Sequence, residues 1–235
     1  MKNSFKIIFS VSLIFSCDCT HAQQYKTAKE PLWIGLGTVF FSIGTVYYQR
    51  VPFPESSQLK PERVFSLDRF ALRLHERGTG PVSNVTLAGS FCLPLYSISR
   101  MKSAKNRQSG LILLLESHLF SQGMAMLCKG IFQRPRPYAY GMSIPATNRM
   151  KRDAFRSFFS GHAAASFTNA MLAGCMVNAF HPPSEQTNWI WAGGFALATA
   201  TGTFRVLSGN HFPTDVAVGA AVGCLAGYLI HASHR

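Results

Sequence analysis

Six apolar stretches divide the chain, at residues 32–48, 82–99, 110–128, 163–180, 189–207 and 216–232. Each holds about 17 to 19 residues, the short end of the length an α-helix needs to cross a hydrocarbon core. They are rich in Gly, Ala, Ser and Thr, small residues that let helices approach closely in lipid. The pattern predicts an all-α fold, a polytopic membrane helical bundle of about five to six transmembrane helices. A buried helical bundle in a soluble protein is the competing reading, and six such segments in one short chain fit it less well. Gly219, Gly223 and Gly227 recur every four residues and form one flat face on the last segment, read here as a packing face.

Composition and charge narrow the class. The chain is 47% apolar and only 14% charged, where soluble domains carry roughly 25% charged residues. The formal net charge of +13 favours an anionic partner: a lipid headgroup surface, a phosphorylated substrate or nucleic acid. Nucleic acid is the weakest of these, because the basic residues sit between apolar spans and match no nucleic-acid-binding motif. The six cysteines show no metal-ligand spacing, and four lie in or beside apolar segments, so neither a zinc site nor a disulfide framework is indicated.

Residues 1–22 read as a secretory signal peptide. Lys2 and Lys6 supply its basic start, Ile7 to Phe15 its apolar core and Thr20-His21-Ala22 its cleavage site. Ile14-Phe15-Ser16-Cys17 offers a lipoprotein-type leader as the alternative. Either places the protein in a bacterial envelope. Residues 32–235 then form one membrane domain. Between the first two spans, Phe65 to Glu76 mixes Phe65, Leu67, Phe70, Leu72 and Leu74 with Asp68, Arg69 and Arg73, the pattern of an amphipathic helix on the membrane surface. Glu116 and His118 lie inside the third span. Intramembrane ionisable groups are functional candidates, but Glu116 is better read as near its helix start and bonded to a neighbouring helix.

Three polar clusters stand at the ends of apolar segments. The first is Lys129-Gly-Ile-Phe-Gln-Arg134-Pro-Arg136-Pro137. Both arginines precede prolines, which forces them into extended geometry and aims their guanidinium groups. Planar recognition of phosphate oxygens uses such groups, although a basic anchor at the headgroup level explains the cluster equally well. The second is Ser157-Phe-Phe-Ser160-Gly161-His162, where Ser160 is a credible N-cap and the free amides of the next turn make an anion site. The third is Arg205-Val-Leu-Ser-Gly-Asn-His211-Phe-Pro-Thr-Asp215. Pro213 suits the first turn of a helix, and Asp215 is placed to reach back to the His211 ring and fix its protonated nitrogen.

Counting crossings brings the clusters together. Between His162 and Arg205 lie 42 residues, two apolar segments joined by a short turn, so the chain returns to the side it left. Between Pro137 and Ser160 lie 22 residues without a crossing. All three clusters therefore end on one face, where Lys129, Arg136, Arg205, His162, His211 and Asp215 can share a pocket.

Lys129 with Arg136-Pro137 after six intervening residues, then Ser160-Gly161-His162, then Arg205, His211 and Asp215 at these intervals, resembles the type 2 phosphatidic acid phosphatase (PAP2) family, which is related to the vanadium haloperoxidases. The resemblance covers about residues 109–232. Phe159 stands where the family usually has Pro and Phe204 where it usually has Ser, departures that bear on loop geometry and substrate choice. The resemblance implies a PAP2/haloperoxidase-like core and a phosphatase acting on a lipid phosphate or pyrophosphate, with no metal and no cofactor. It makes His211 the nucleophile that forms a phosphohistidine, Asp215 its orienting partner and His162 the general acid and then base. Lys129, Arg136, Arg205 and the amides near Ser160 and Gly161 would hold the phosphoryl oxygens. Physical chemistry agrees, since phosphoryl transfer depends mainly on positioning and charge stabilisation. A vanadate-dependent haloperoxidase and a non-catalytic helical scaffold are the alternatives.

The resemblance also implies a site on the periplasmic side. The turn holding Arg100, Lys102, Lys105 and Arg107 would then be cytoplasmic, as the positive-inside rule prefers. Six full spans after a cleaved leader would instead turn the site to the cytoplasm. An interfacial 32–48 or a retained leader turns it outward, which is the orientation expected here.

Overall fold

The computed structural model describes residues 25, 30–50, 59–74, 78–141, 147, 150–180 and 184–235. The leader at 1–22 lies outside them. Six long helices form at the six predicted places: α1 (Glu30–Arg50), α2 (Thr79–Ser99), α3 (Ala104–Phe132), α4 (Gly161–Phe180), α5 (Glu185–Leu207) and α6 (Pro213–Ser233). Short 3-10 turns fill parts of the connections, and no strand occurs among the described residues. Helices α1, α3, α4 and α6 are both long and apolar enough to cross a membrane. In α2 and α5 the apolar run is diluted by serine and threonine, and Ser83, Ser90 and Thr201 turn inward and are buried.

Helix α4 is the centre of the bundle. In its most apolar window 78% of residues are buried, against 11% for α1 and 33% for α3 and α6. Its small side chains (Ala163, Ala164, Ala165, Ser166, Ala170, Ala173, Gly174) let α2, α3, α5 and α6 all pack on it. The glycine face of α6 lies against this helix. A Cβ on Gly219 would stand 2.6 Å from the Ser160 carbonyl oxygen, and one on Gly227 would stand 3.0 Å from that of Thr168. The two backbones touch where side chains would otherwise keep them apart.

Helix α1 runs parallel to α3 by the same device. Gly37 meets Leu119 and Gly44 meets Leu127, while Gly123 and Gly130 of α3 accept Gly37 and Tyr47 in return. The first apolar segment is thus a 21-residue helix packed along α3, long and apolar enough to cross a membrane. The ends of α1, α3 and α5 gather with the starts of α2, α4 and α6 at one end of the bundle. Arg156 donates to the Tyr48 carbonyl, Arg205 to the Ser83 hydroxyl, and the Ser160 amide to the Asp215 carbonyl.

One expectation is sharpened and one corrected. The amphipathic segment is helical as expected, and takes the 3-10 form over Ser66–Arg73. At three residues per turn, positions three apart eclipse. Asp68 and Ala71 form the buried row, and Leu67, Phe70 and Arg73 the outward one. Glu116 lies well inside α3, twelve residues after Ala104, and not near its start. Its carboxylate stands 3.3 Å from His234 Nε2, a partner supplied by the end of the chain. His118 bonds Asn169 at 2.8 Å and stacks on Phe91.

Candidate active site

The Arg136-Pro137 step in the first cluster acts as expected. Arg136 is extended, with φ −75° and ψ 154°. The stretch it belongs to runs beside the residues that precede α4: the Arg136 amide donates to the Ala154 carbonyl at 2.7 Å, and the Ser157 amide to the Arg134 carbonyl at 2.9 Å. The Tyr138 amide reaches the Gly209 carbonyl at 3.0 Å. Backbone hydrogen bonds thus tie all three clusters into one frame.

His211 sits in the turn after α5. Gly209 takes a left-handed φ of 69°, conformational space that favours glycine, and lets the amides of both Asn210 and His211 fold back on the Arg205 carbonyl. The ring is 1% exposed. Its Nδ1 lies 2.7 Å from the Ser157 backbone carbonyl. A carbonyl only accepts, so Nδ1 carries the proton and Nε2 keeps its lone pair. Asp215 Oδ2 is 3.9 Å from Nδ1, beyond hydrogen-bond reach, and acts on the ring through its field. Burial pushes the imidazole down to about 3; the Asp215 carboxylate opposes that shift, and the charges of Arg136, Arg205 and Lys129 reinforce it. His211 is a neutral base across the ordinary pH range.

Asp215 is fully buried in the first turn of α6. It accepts from the Phe212 amide at 2.9 Å, from Arg134 Nη1 at 2.6 Å and from the Ser157 hydroxyl. It therefore holds the His211 loop, the Ser157 corner and Arg134 together. Arg134 does not face the cradle with Arg136. Its guanidinium lies over the Phe212 ring at 4.2 Å and joins Asp215 to Asp68, whose Oδ2 is 2.7 Å from Nη2.

The remaining cations converge. Arg136 is held by Asp153, through both its carbonyl and its carboxylate, and by Asn210. Arg205 reaches Ser83 at 3.4 Å through Nη1, while its buried Nε has no hydrogen-bond partner among the described residues. Lys129 lies beside the start of α4: a Cβ on Gly161 would stand 3.4 Å from its Nζ and 3.0 Å from Gln122 Oε1, so a side chain there would crowd the ammonium. The charges of Arg205, Lys129 and Arg136 all act on His162. His162 Nε2 bonds Asn84 Oδ1 at 2.9 Å.

Ser160 caps α4 as expected, its Oγ accepting from the Ala163 amide at 3.4 Å, but its own amide is spent on the Asp215 carbonyl. The amides of Gly161 and His162 have no hydrogen bond to a described residue and form the donor pair at this helix start. A neutral imidazole with an available Nε2, three cations and two amides make a site for a tetrahedral oxyanion and for attack on its central atom.

All eight predicted site residues thus come to one end of the bundle. Sequence reasoning missed Asp68, Ser83, Asn84, Asp153 and Asn210, and left the role of Arg134 open between phosphate recognition and a headgroup anchor. Ser83 and Asn84 gave no signal because an isolated polar residue in an apolar span is ordinary in a membrane helix. The buried Asp68 could have been found only by reading residues 66–73 at a period of three, which sets it in one row with Ala71.

Comparison with known proteins agrees with this architecture. The PAP2 superfamily model matches residues 110–235, and the chain belongs to that superfamily. It is 32% identical over 114 residues to the lipid A 1-phosphatase of Porphyromonas gingivalis, a match covering 47% of the chain and 22% of that protein. It is 27% identical over 139 residues to the bacitracin transport permease protein BcrC of Bacillus licheniformis, covering 59% of the chain and 61% of that protein. The solved transmembrane PAP2-type phosphatidylglycerolphosphate phosphatase of Bacillus subtilis superposes with a TM-score of 0.52 at 19% identity, over 84% of this chain and 95% of that one, and shares its fold.

Proposed function

We propose that this protein is a membrane phosphatase that hydrolyses a lipid phosphate or pyrophosphate of the phosphatidate, phosphatidylglycerophosphate, polyprenyl pyrophosphate or lipid A phosphate class, without a metal and through a phosphohistidine. The observation that carries this reading is the fixed tautomer of His211, with Nε2 unprotonated inside the field of Lys129, Arg136 and Arg205.

Nε2 attacks phosphorus while the three cations and the Gly161 and His162 amides take up the charge on the phosphoryl oxygens. The phosphorus–oxygen bond to the leaving group breaks, and His162 gives its proton to the departing oxygen. Water then attacks the phosphohistidine, His162 takes a proton from it, and phosphate leaves as Nε2 regains its lone pair. The Ser157 carbonyl accepts from Nδ1 throughout and stabilises the positive ring. The Nε of Arg205, without a partner among the described residues, is a donor available to a ligand oxygen. Location at the ends of apolar helices favours a lipid-borne headgroup over a soluble phosphate. So does the name of the Porphyromonas gingivalis relative.

The site faces the periplasm of a bacterial cell membrane in this reading. With six helices in alternation, that puts the start of α1 and the Arg100–Arg107 turn on the cytoplasmic side, and the leader is then retained there. Labelling of single cysteines at Arg73 and Lys105 in intact cells checks this. Reaction at Lys105 alone would reverse the orientation.

The function itself is tested with purified protein in detergent and a panel of lipid phosphates, with EDTA present. Phosphate release that vanadate inhibits and His211→Ala abolishes is expected. Halide oxidation supported by vanadate would replace this reading with the haloperoxidase one.

A further inference from the structure

Helix α6 begins with a defect. Its N-cap position is Phe212, which has no side-chain acceptor, and Pro213 follows at the first helical position. The first-turn amides nevertheless find partners. Asp215 Oδ2 takes the Phe212 amide, and Asp68 Oδ1 takes the Thr214 amide at 3.1 Å from 146 residues away. Asp68 Oδ2 also accepts from the Thr214 hydroxyl at 2.6 Å and from Arg134 Nη2 at 2.7 Å. The other arm of the same guanidinium holds Asp215 at 2.6 Å and Thr214 Oγ1 at 2.9 Å. Asp68 is fully buried, so each of these contacts is sheltered from water.

We propose that Asp68 is a positioning residue of the phosphatase site, acting through Arg134 and Thr214 on Asp215 and so on the His211 tautomer. This rests on the phosphatase reading above. One carboxylate does two jobs there. It supplies the helix cap that the local sequence lacks, and it fixes the rotamer of Arg134 so that Nη1 points at Asp215 Oδ1. With that oxygen held, Oδ2 remains on the Phe212 amide and the Ser157 hydroxyl, and the Ser157 carbonyl stays opposite His211 Nδ1. Residue 68 lies outside the 110–235 stretch matched by the superfamily model, so the brace reaches the site from a segment outside that stretch. The brace is carried on the 3-10 helix Ser66–Arg73, which packs on the site through Ala71 and Leu72 against Phe212. Arg69 holds the segment's entry by donating to the carbonyls of Val64 and Glu62.

The test compares wild type, Asp68→Asn and Asp68→Glu in the full-length protein in detergent. Asparagine keeps an acceptor for the Thr214 amide but loses the charge facing Arg134. The expected result for Asp68→Asn is a fall in kcat of about a hundredfold, the size of a roughly 1 Å misplacement, with KM changed less than about threefold. Asp68→Glu should recover part of it. Arg134→Gln combined with Asp68→Asn should lose no more than the worse single variant. Asp68→Asn with kcat within about twofold of wild type overturns the proposal, as does an equal loss through KM alone.

A second readout needs no substrate. In protein labelled with nitrogen-15 histidine, the His211 Nδ1–H signal, assigned by its absence in His211→Ala, should be single in wild type and split or exchange-broadened in Asp68→Asn. An unchanged signal overturns the proposal even if no lipid phosphate is hydrolysed by wild type, an outcome that would refute the phosphatase reading separately.

Discussion

His211 donates its Nδ1 proton to the backbone carbonyl of Ser157 at 2.7 Å, while Asp215 stands 3.9 Å away. The carboxylate works at one remove: it binds the Ser157 hydroxyl, the Phe212 amide and Arg134, and the frame so held presents the carbonyl to the ring. Replacing His211 with alanine removes the nucleophile without disturbing that frame. Phosphate release should fall about a thousandfold or more while the protein still elutes as a folded species in size-exclusion chromatography.

Asp215→Asn tests the frame. Asparagine cannot accept at both oxygens, so either Arg134 or the Phe212–Ser157 pair loses its partner in a buried site. Activity should drop about a hundredfold or more, and, unlike His211→Ala, the thermal midpoint should fall as well. Unaltered thermal stability would show that the buried contacts of Asp215 are dispensable for folding.

Arg205 has a buried Nε without a partner among the described residues, and Arg136 is already forked between Asp153 and Asn210. A lysine at 205 keeps the charge and loses the planar pair of donors. Arg205→Lys should therefore lower kcat/KM by about ten- to a hundredfold, with weaker vanadate inhibition.

The buried imidazole of His211 makes stability depend on pH. Its value in the folded protein is about 3, below the ordinary 6.5, so between those values the unfolded chain binds the proton and the folded one does not. Stability from this group is full above the ordinary value and is lost as pH falls towards about 3, by up to about 1.4 kcal/mol per pH unit. Thermal midpoints measured from pH 7 to 4 should fall less steeply for His211→Ala than for wild type.

Gly223→Ala probes the contact of α6 with α4. An added Cβ would press on the Ala164 carbonyl and stand 3.0 Å from the Thr168 amide, both backbone atoms that cannot yield without moving a helix. A loss of about 1–3 kcal/mol is expected, read as a lowered thermal midpoint.

The sequence by itself determined the six helices, because a run of apolar residues long enough to cross lipid must satisfy its backbone internally and does so as a helix. It also determined that Lys129, Arg136, Ser160, Gly161, His162, Arg205, His211 and Asp215 meet at one end, since two crossings and an uncrossed loop leave the clusters no other arrangement. The packing role of Gly219 and Gly227 was legible too, from their four-residue spacing. Only the tertiary structure decided who holds whom. Arg134 and Arg136 look alike before their prolines, yet one braces Asp215 while the other faces His211, a difference set by where Asp68 and Asp153 lie. Glu116 found His234, just past the end of α6, and His162 found Asn84 on α2, both far away in the chain. Hydrophobic length acts along the chain and can be read there, but hydrogen-bond partnership depends on distances of about 3 Å across helix contacts, which no one-dimensional pattern encodes.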